Sequence, residues 1–336
     1  MARFTPLLAL ACATLVAAPA FAPAFAKAPA EREVPVNPEP SMADKFPQVP
    51  VAFPGGVKAW RDVTYQVNPG YRPQIVDIYV PAGKGPHPLV LYIHGGGWMG
   101  GHTRQSGAFD NFPKMLAAFA AEGFTVASVE YRLSGEAAFP AQAKDVFAAL
   151  RFLRQNAAQY HIDPARVGVF GGSAGGHLAA LAGLACTDGK IDATLDPASA
   201  NDACIQATAA WYGIHDFATM PRITQKDSAE QRLLGCKDGT CSPEAIRAAS
   251  PITYVDAKDS PVLLLHGVDD KVVPVAQSHQ LESALKAAGV PVSATYYPGT
   301  DHSFMGATPE DTRRTSLKAM NATFDFFHDK LGVPRK

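Results

Sequence analysis

Four stretches of this chain are apolar over most of their length yet too short to be buried helices: "LVLYIH" (89–94), "FTVASVEYR" (124–132), "VGVFG" (167–171) and "PVLLLHG" (261–267). A strand with one wet face alternates apolar and polar residues. A run that does not alternate belongs to a sheet covered on both faces, which is the property of parallel sheets. Amphipathic stretches stand beside them, among them "FPKMLAAFAAEG", "FPAQAKDVFAALRFLRQNA" and "VAQSHQLESALKAAG". Strands alternating with helices of this length give an α/β fold with helices on both sides. With "WRDVTYQV" and "IVDIYVP" as an antiparallel opening, and "ATAAWYG" and "VSATYY" further on, the reading is a mostly parallel, eight-stranded sheet.

The chain has 336 residues, 47% hydrophobic and 18% charged, so a large core is available. The formal net charge is -1 and no basic run appears, which argues against a nucleic-acid partner. Residues 1–26 read as a signal peptide: Arg3, then the apolar "LLALACATLVAAPA", then "AFA" at Ala24–Ala26 with cleavage after Ala26. That places the mature protein in the periplasm or outside the cell, with no stable membrane insertion. Residues 27–56, rich in Pro, Ala and charge, read as an extended arm. Residues 57–336 read as one domain with insertions at about 187–206 and 213–258, above the sheet.

Four cysteines remain after the signal. They allow three pairings, of which Cys186–Cys204 and Cys236–Cys241 are favoured because each brackets a Gly/Asp-containing loop. The spacings do not repeat a CxxC pattern, which argues against a metal.

The chemistry is carried by "GVFGGSAGGHLAAL" (168–181). A strand ends near Gly171, a helix starts near Ala174, and Ser173 sits in the turn. Gly171, Ser173 and Gly175 fit G-x-S-x-G, the pattern that lifts a serine hydroxyl above a sheet at a helix N-terminus. Such a serine needs a base and an acid to orient that base. "HGVDDKVVP" supplies Asp269 and Asp270 in the loop after one buried strand. "YYPGTDHSF" supplies His302 after the last strand. The order Ser, acid, His is the one this turn uses. "HGGGW" (94–98) offers bare N–H groups, and the hole for a developing oxyanion is assigned to Gly96, Gly97 and Ala174. Trp98, Trp211, Tyr212 and Phe304 are candidates for the substrate pocket. No phosphate-cradling pattern fits the glycine runs.

HGGGW, EYRL (130–133), GGSAGGH (171–177), HGVDDKVVP (266–274) and DHSF (301–304) together resemble the α/β-hydrolase superfamily. Within it the chain is similar to hormone-sensitive-lipase-like and bacterial feruloyl-esterase-like (BD-FAE-like) carboxylesterases, from about Val57 to the end. The resemblance implies an α/β-hydrolase fold with cap insertions and a secreted serine carboxylesterase working through an acyl-enzyme without a cofactor. It selects Asp270 over Asp269 as the acid. It implies a small-molecule ester or acylated-saccharide substrate. A plant-polysaccharide acetyl or feruloyl esterase, a kynurenine-formamidase-like amidase, and a non-catalytic binding protein are the alternatives. One departure stands out: many hormone-sensitive-lipase-like members carry an acidic residue where this chain has Gly172.

Overall fold

The computed structural model describes residues 49–185, 191, 204–236 and 239–335. The eight strands expected from sequence all form. They are β2 (Lys58–Gln66), β3 (Gln74–Val80), β4 (His87–Ile93), β5 (Thr125–Val129), β6 (Ile162–Gly172), β7 (Ala207–Trp211), β8 (Val262–Gly267) and β9 (Val292–Tyr297). A ninth, β1 (Val51–Ala52), was not expected. It pairs antiparallel with the start of β2, inside the stretch read as an arm, and so corrects the eight-strand count. Next to it, Phe53 packs edge-on against Tyr79 of β3, which anchors the chain there.

The strand order is β1-β2-β3-β5-β4-β6-β7-β8-β9. β3 pairs antiparallel with both β2 and β5, and from β5 onward the neighbours β5, β4, β6, β7, β8 and β9 are parallel to one another. Every residue of β5, β7 and β8 is buried, which is why their sequences do not alternate. The edge strand β9 does alternate in exposure over its first four residues.

The helices among the described residues are α1 (Phe112–Ala121), α2 (Ala141–Gln155), α3 (Ala174–Leu184), α4 (Ala229–Leu234), α5 (Pro243–Ala249), α6 (Ala276–Ala287) and α7 (Pro309–Lys330). One face of the sheet is covered by α2 and α3 through Val146, Leu150, Leu178 and Leu181. The other is covered by α1 and α7 through Leu116, Phe119, Met320 and Phe327. All of α3 is buried, consistent with a helix apolar on every side. The expected insertion at 213–258 contains α4 and α5 and leaves the C-terminal end of β7. The insertion at 187–206 falls almost wholly outside the described residues.

Because β4, β6, β7, β8 and β9 are parallel, the loops after them open at the same edge of the sheet. That edge is where ligands bind in open α/β sheets. It gathers the glycine loop after β4, Ser173 after β6, Tyr212 after β7, Asp270 after β8 and His302 after β9.

Candidate active site

Ser173 is the single residue between β6 and α3. Its backbone lies at φ 58°, ψ -120°, a region a non-glycine residue occupies only when its surroundings force it. The surroundings here are backbone. A Cβ on Gly175 would run into the carbonyl oxygen of Ile93, and one on Gly171 into that of Gly175. Strand and helix therefore approach so closely that only glycine fits on either side of the turn. Gly172 is constrained differently. A Cβ there would lie 2.7 Å from the Tyr212 hydroxyl. The Tyr212 phenol fills the space a side chain at this position would need.

The three residues expected to act together do meet. The Ser173 hydroxyl lies 3.0 Å from His302 Nε2 and donates to it. On the far side of the ring, Nδ1 donates to Asp270 Oδ2 at 2.7 Å. Asp270 is 8% exposed, and its Oδ1 accepts from the N–H groups of Val272 and Val273 at 2.9 and 2.8 Å. Burial alone would push this carboxyl up. Hydrogen bonds from His266 and His302 outweigh it and hold Asp270 well below the usual carboxylate range. Asp269, by contrast, is exposed. Tyr212 packs edge-on against the His302 ring, with centroids 4.8 Å apart.

The glycine loop is held from beneath. Gly96 and Gly97 have φ of 112° and 60°, both left-handed. The His94 ring stacks on Tyr131 at 4.3 Å, and the Tyr131 hydroxyl donates to the His94 carbonyl at 3.0 Å. Ser134 N–H donates to the Trp98 carbonyl at 2.7 Å. The EYRL segment is thus the seat of the loop. From the other side, the Trp98 indole N–H donates to His177 Nδ1 at 3.1 Å, and His177 Nε2–H donates to the Ala249 carbonyl at 2.7 Å. Burial lowers the His94 and His177 pKa values to about 4, so both rings are neutral near pH 7. Gly96, Gly97 and Ala174 all face one cleft of about 870 Å³ together with Ser173 and His302. Ala174 is the first residue of α3, where N–H groups have no partner within the helix.

Two of the four pocket candidates line that cleft, Trp98 and Tyr212. Trp211 and Phe304 do not, which corrects the expectation. Trp211 closes β7 facing α7, where its indole donates to Thr323 at 3.0 Å. Phe304 is buried against Trp211 and Tyr212. The wall that sequence reading missed is the loop after HGGGW, which contributes Gln105, Phe109 and Asp110; Arg222 from the insertion joins it. The usable signal was its length, since "GGHTRQSGAFD" is a long loop with no element of its own. Also missed was His266, which touches Asp270.

The Cys236–Cys241 bond forms, with Cα atoms 4.6 Å apart. The other expected pair involves Cys186, which lies outside the described residues. Among the described residues no cluster of three or more His, Cys, Asp or Glu is arranged to hold a metal ion.

The family model described as BD-FAE matches residues 76–285, more than half of the chain. The chain belongs to the BD-FAE family. This BD-FAE member is 31% identical to Esterase LipQ of Mycobacterium tuberculosis over 72% of the chain and 56% of the relative. It is 33% identical to Esterase LipC of the same organism over 65% and 53%. The chain thus spans about half the length of these curated relatives. A solved structure described as a truncated form of carbohydrate esterase from gut microbiota superimposes with a TM-score of 0.68 at 29% identity. That match covers 82% of this chain and 96% of the other. The fold is the α/β-hydrolase fold.

Proposed function

We propose that this chain is a serine carboxylic ester hydrolase with Ser173 as nucleophile, His302 as base and Asp270 as orienting acid. The observation that carries the reading is the unbroken hydrogen-bond line from Ser173 Oγ through both nitrogens of His302 to Asp270. A serine hydroxyl is a weak nucleophile, and His302 Nε2 removes its proton as the oxygen attacks the ester carbonyl. The resulting imidazolium faces an ionised Asp270, which lowers the cost of that charge. The carbonyl oxygen becomes an oxyanion before the N–H groups of Gly96, Gly97 and Ala174. His302 then returns its proton to the departing alcohol, leaving an acyl-Ser173. Water, deprotonated by the same imidazole, releases the acid. No step draws on a cofactor.

Two observations favour an acylated saccharide as substrate. The cleft wall offers Gln105, Asp110 and Arg222, side chains suited to hydroxyl groups. A structurally similar chain is described as a carbohydrate esterase. The proposal includes export with loss of residues 1–26, which the Cys236–Cys241 bond supports. No helix among the described residues is long and apolar enough to cross a membrane.

The decisive experiment compares wild type with Ser173→Ala on 4-nitrophenyl acetate, longer 4-nitrophenyl esters, methyl ferulate, acetylated xylo-oligosaccharides and N-formylkynurenine. Wild type hydrolyses esters, and Ser173→Ala loses on the order of 10⁴-fold or more in kcat. Retention of most of the rate by Ser173→Ala ends the proposal. Faster turnover of N-formylkynurenine than of any ester moves the assignment to an amidase, and no turnover by wild type moves it to a binding protein.

A further inference from the structure

Within the triad Asp270 meets only His302, through Oδ2, yet that oxygen has a further partner. His266, the penultimate residue of β8, is fully buried. Its Nε2 lies 2.9 Å from the Val273 carbonyl oxygen and 3.2 Å from Asp270 Oδ2. Neither of those oxygens can donate, so Nε2 carries the proton and shares it between them. In the neutral ring Nδ1 is then an acceptor. The Ser278 hydroxyl, on α6 and also fully buried, lies 2.7 Å away and donates to it. Ser278 thereby selects the tautomer that points a proton at the acid.

We propose that His266 is a positioning residue for Asp270, the inner end of a five-membered line running Ser278, His266, Asp270, His302, Ser173. This rests on the triad reading and extends it inward from the acid. The geometric reason is that two imidazoles converge on one oxygen. Oδ1 is fixed by two backbone N–H groups, and Oδ2 by His302 on the solvent side and His266 on the core side. A carboxylate so held cannot turn its plane away when His302 takes up charge. The second N–H also disperses the negative charge of Oδ2, so the proton stays on the His302 ring and the acid stays ionised. Buried hydrogen-bonded lines of this kind act as a unit.

The test separates this role from the triad itself and from mere packing. The terminal nitrogen of glutamine reaches the place of His266 Nε2, whereas that of asparagine stops at the place of Nδ1. His266→Asn should lower kcat on 4-nitrophenyl acetate by roughly ten- to a hundredfold with KM within about twofold of wild type. His266→Gln should recover the rate to within about threefold. In an Asp270→Asn background, His266→Asn should cost less than about twofold more, because its effect travels through the acid. Equal kcat for the Asn and Gln variants, or the same loss in both backgrounds, overturns the proposal. Asp270→Asn retaining the wild-type rate would instead sink the triad reading. Should the variants fail to fold, wild type decides: a ¹⁵N-histidine spectrum must show His266 protonated at Nε2. Protonation at Nδ1 alone overturns the inference.

Discussion

Asp269 and Asp270 are adjacent in sequence and opposite in circumstance. One is exposed; the other is 8% exposed, takes two backbone hydrogen bonds and one from His302, and has His266 Nε2 at 3.2 Å. On the proposed mechanism Asp270→Asn lowers kcat by about 10⁴-fold, while Asp269→Asn stays within about twofold of wild type. Steady-state kinetics on one activated ester checks both. Gly172 gives a second contrast. Gly172→Ala sets a Cβ against the Tyr212 phenol and should cost about 1–3 kcal/mol of stability, read from urea midpoints. The meeting of Ser173, Asp270 and His302 was legible from sequence because each follows a strand whose direction the apolar pattern dictates. Trp211 and Phe304 were misread for a different reason. Which way an aromatic turns at a strand end depends on the facing helix, and here α7 offers Thr323 to the Trp211 indole. His266 opens HGVDDKVVP, but a histidine closing a strand has no sequence mark telling core from site.

At the scale of elements, the β6–α3 join governs the rest. Its glycines let a fully buried helix stand almost on the ends of β4 and β6, which brings the first N–H groups of α3 to the same cleft as the HGGG loop. The strands were readable because residues buried on both faces leave an uninterrupted apolar run. The edge strand β1 was not, since two residues carry no periodicity. Within the 213–258 insertion, the Cys236–Cys241 bond closes a loop across a sequence separation of 5. Loop-closure entropy for so short a ring amounts to about 2 kcal/mol. Replacing both cysteines by serine should therefore lower stability by no more than about that amount, with denaturant unfolding as the measurement.

Across the whole molecule, buried histidines set the response to acid. Burial holds His94 and His177 at about 4, and it holds His215 well below the usual histidine value, helped by His266 and His177. Unfolded, all three bind protons near pH 6.5. As pH falls through the interval between about 6.5 and 4, the unfolded chain gains three protons that the folded one refuses, so stability is lost. Asp259 works against this. Burial pushes it up to about 6, so the folded state holds one proton there that the unfolded state lacks. The three histidines outnumber the half-buried aspartate, so stability slopes downward as pH falls through this interval. Urea midpoints taken at half-unit steps down from neutrality should show that slope. A flat profile would mean that these rings already carry charge in the folded state. One member of this set has an optical side. Trp98 follows Gly97 directly and meets the His177 ring edge-on at 5.3 Å. The chain has only two other tryptophans, Trp60 against Tyr160 and Trp211 deep beneath the sheet edge. With those two exchanged for phenylalanine, indole emission becomes a built-in lamp on the glycine loop, and on the proposed mechanism it should time each acyl group as it arrives and leaves without any dye.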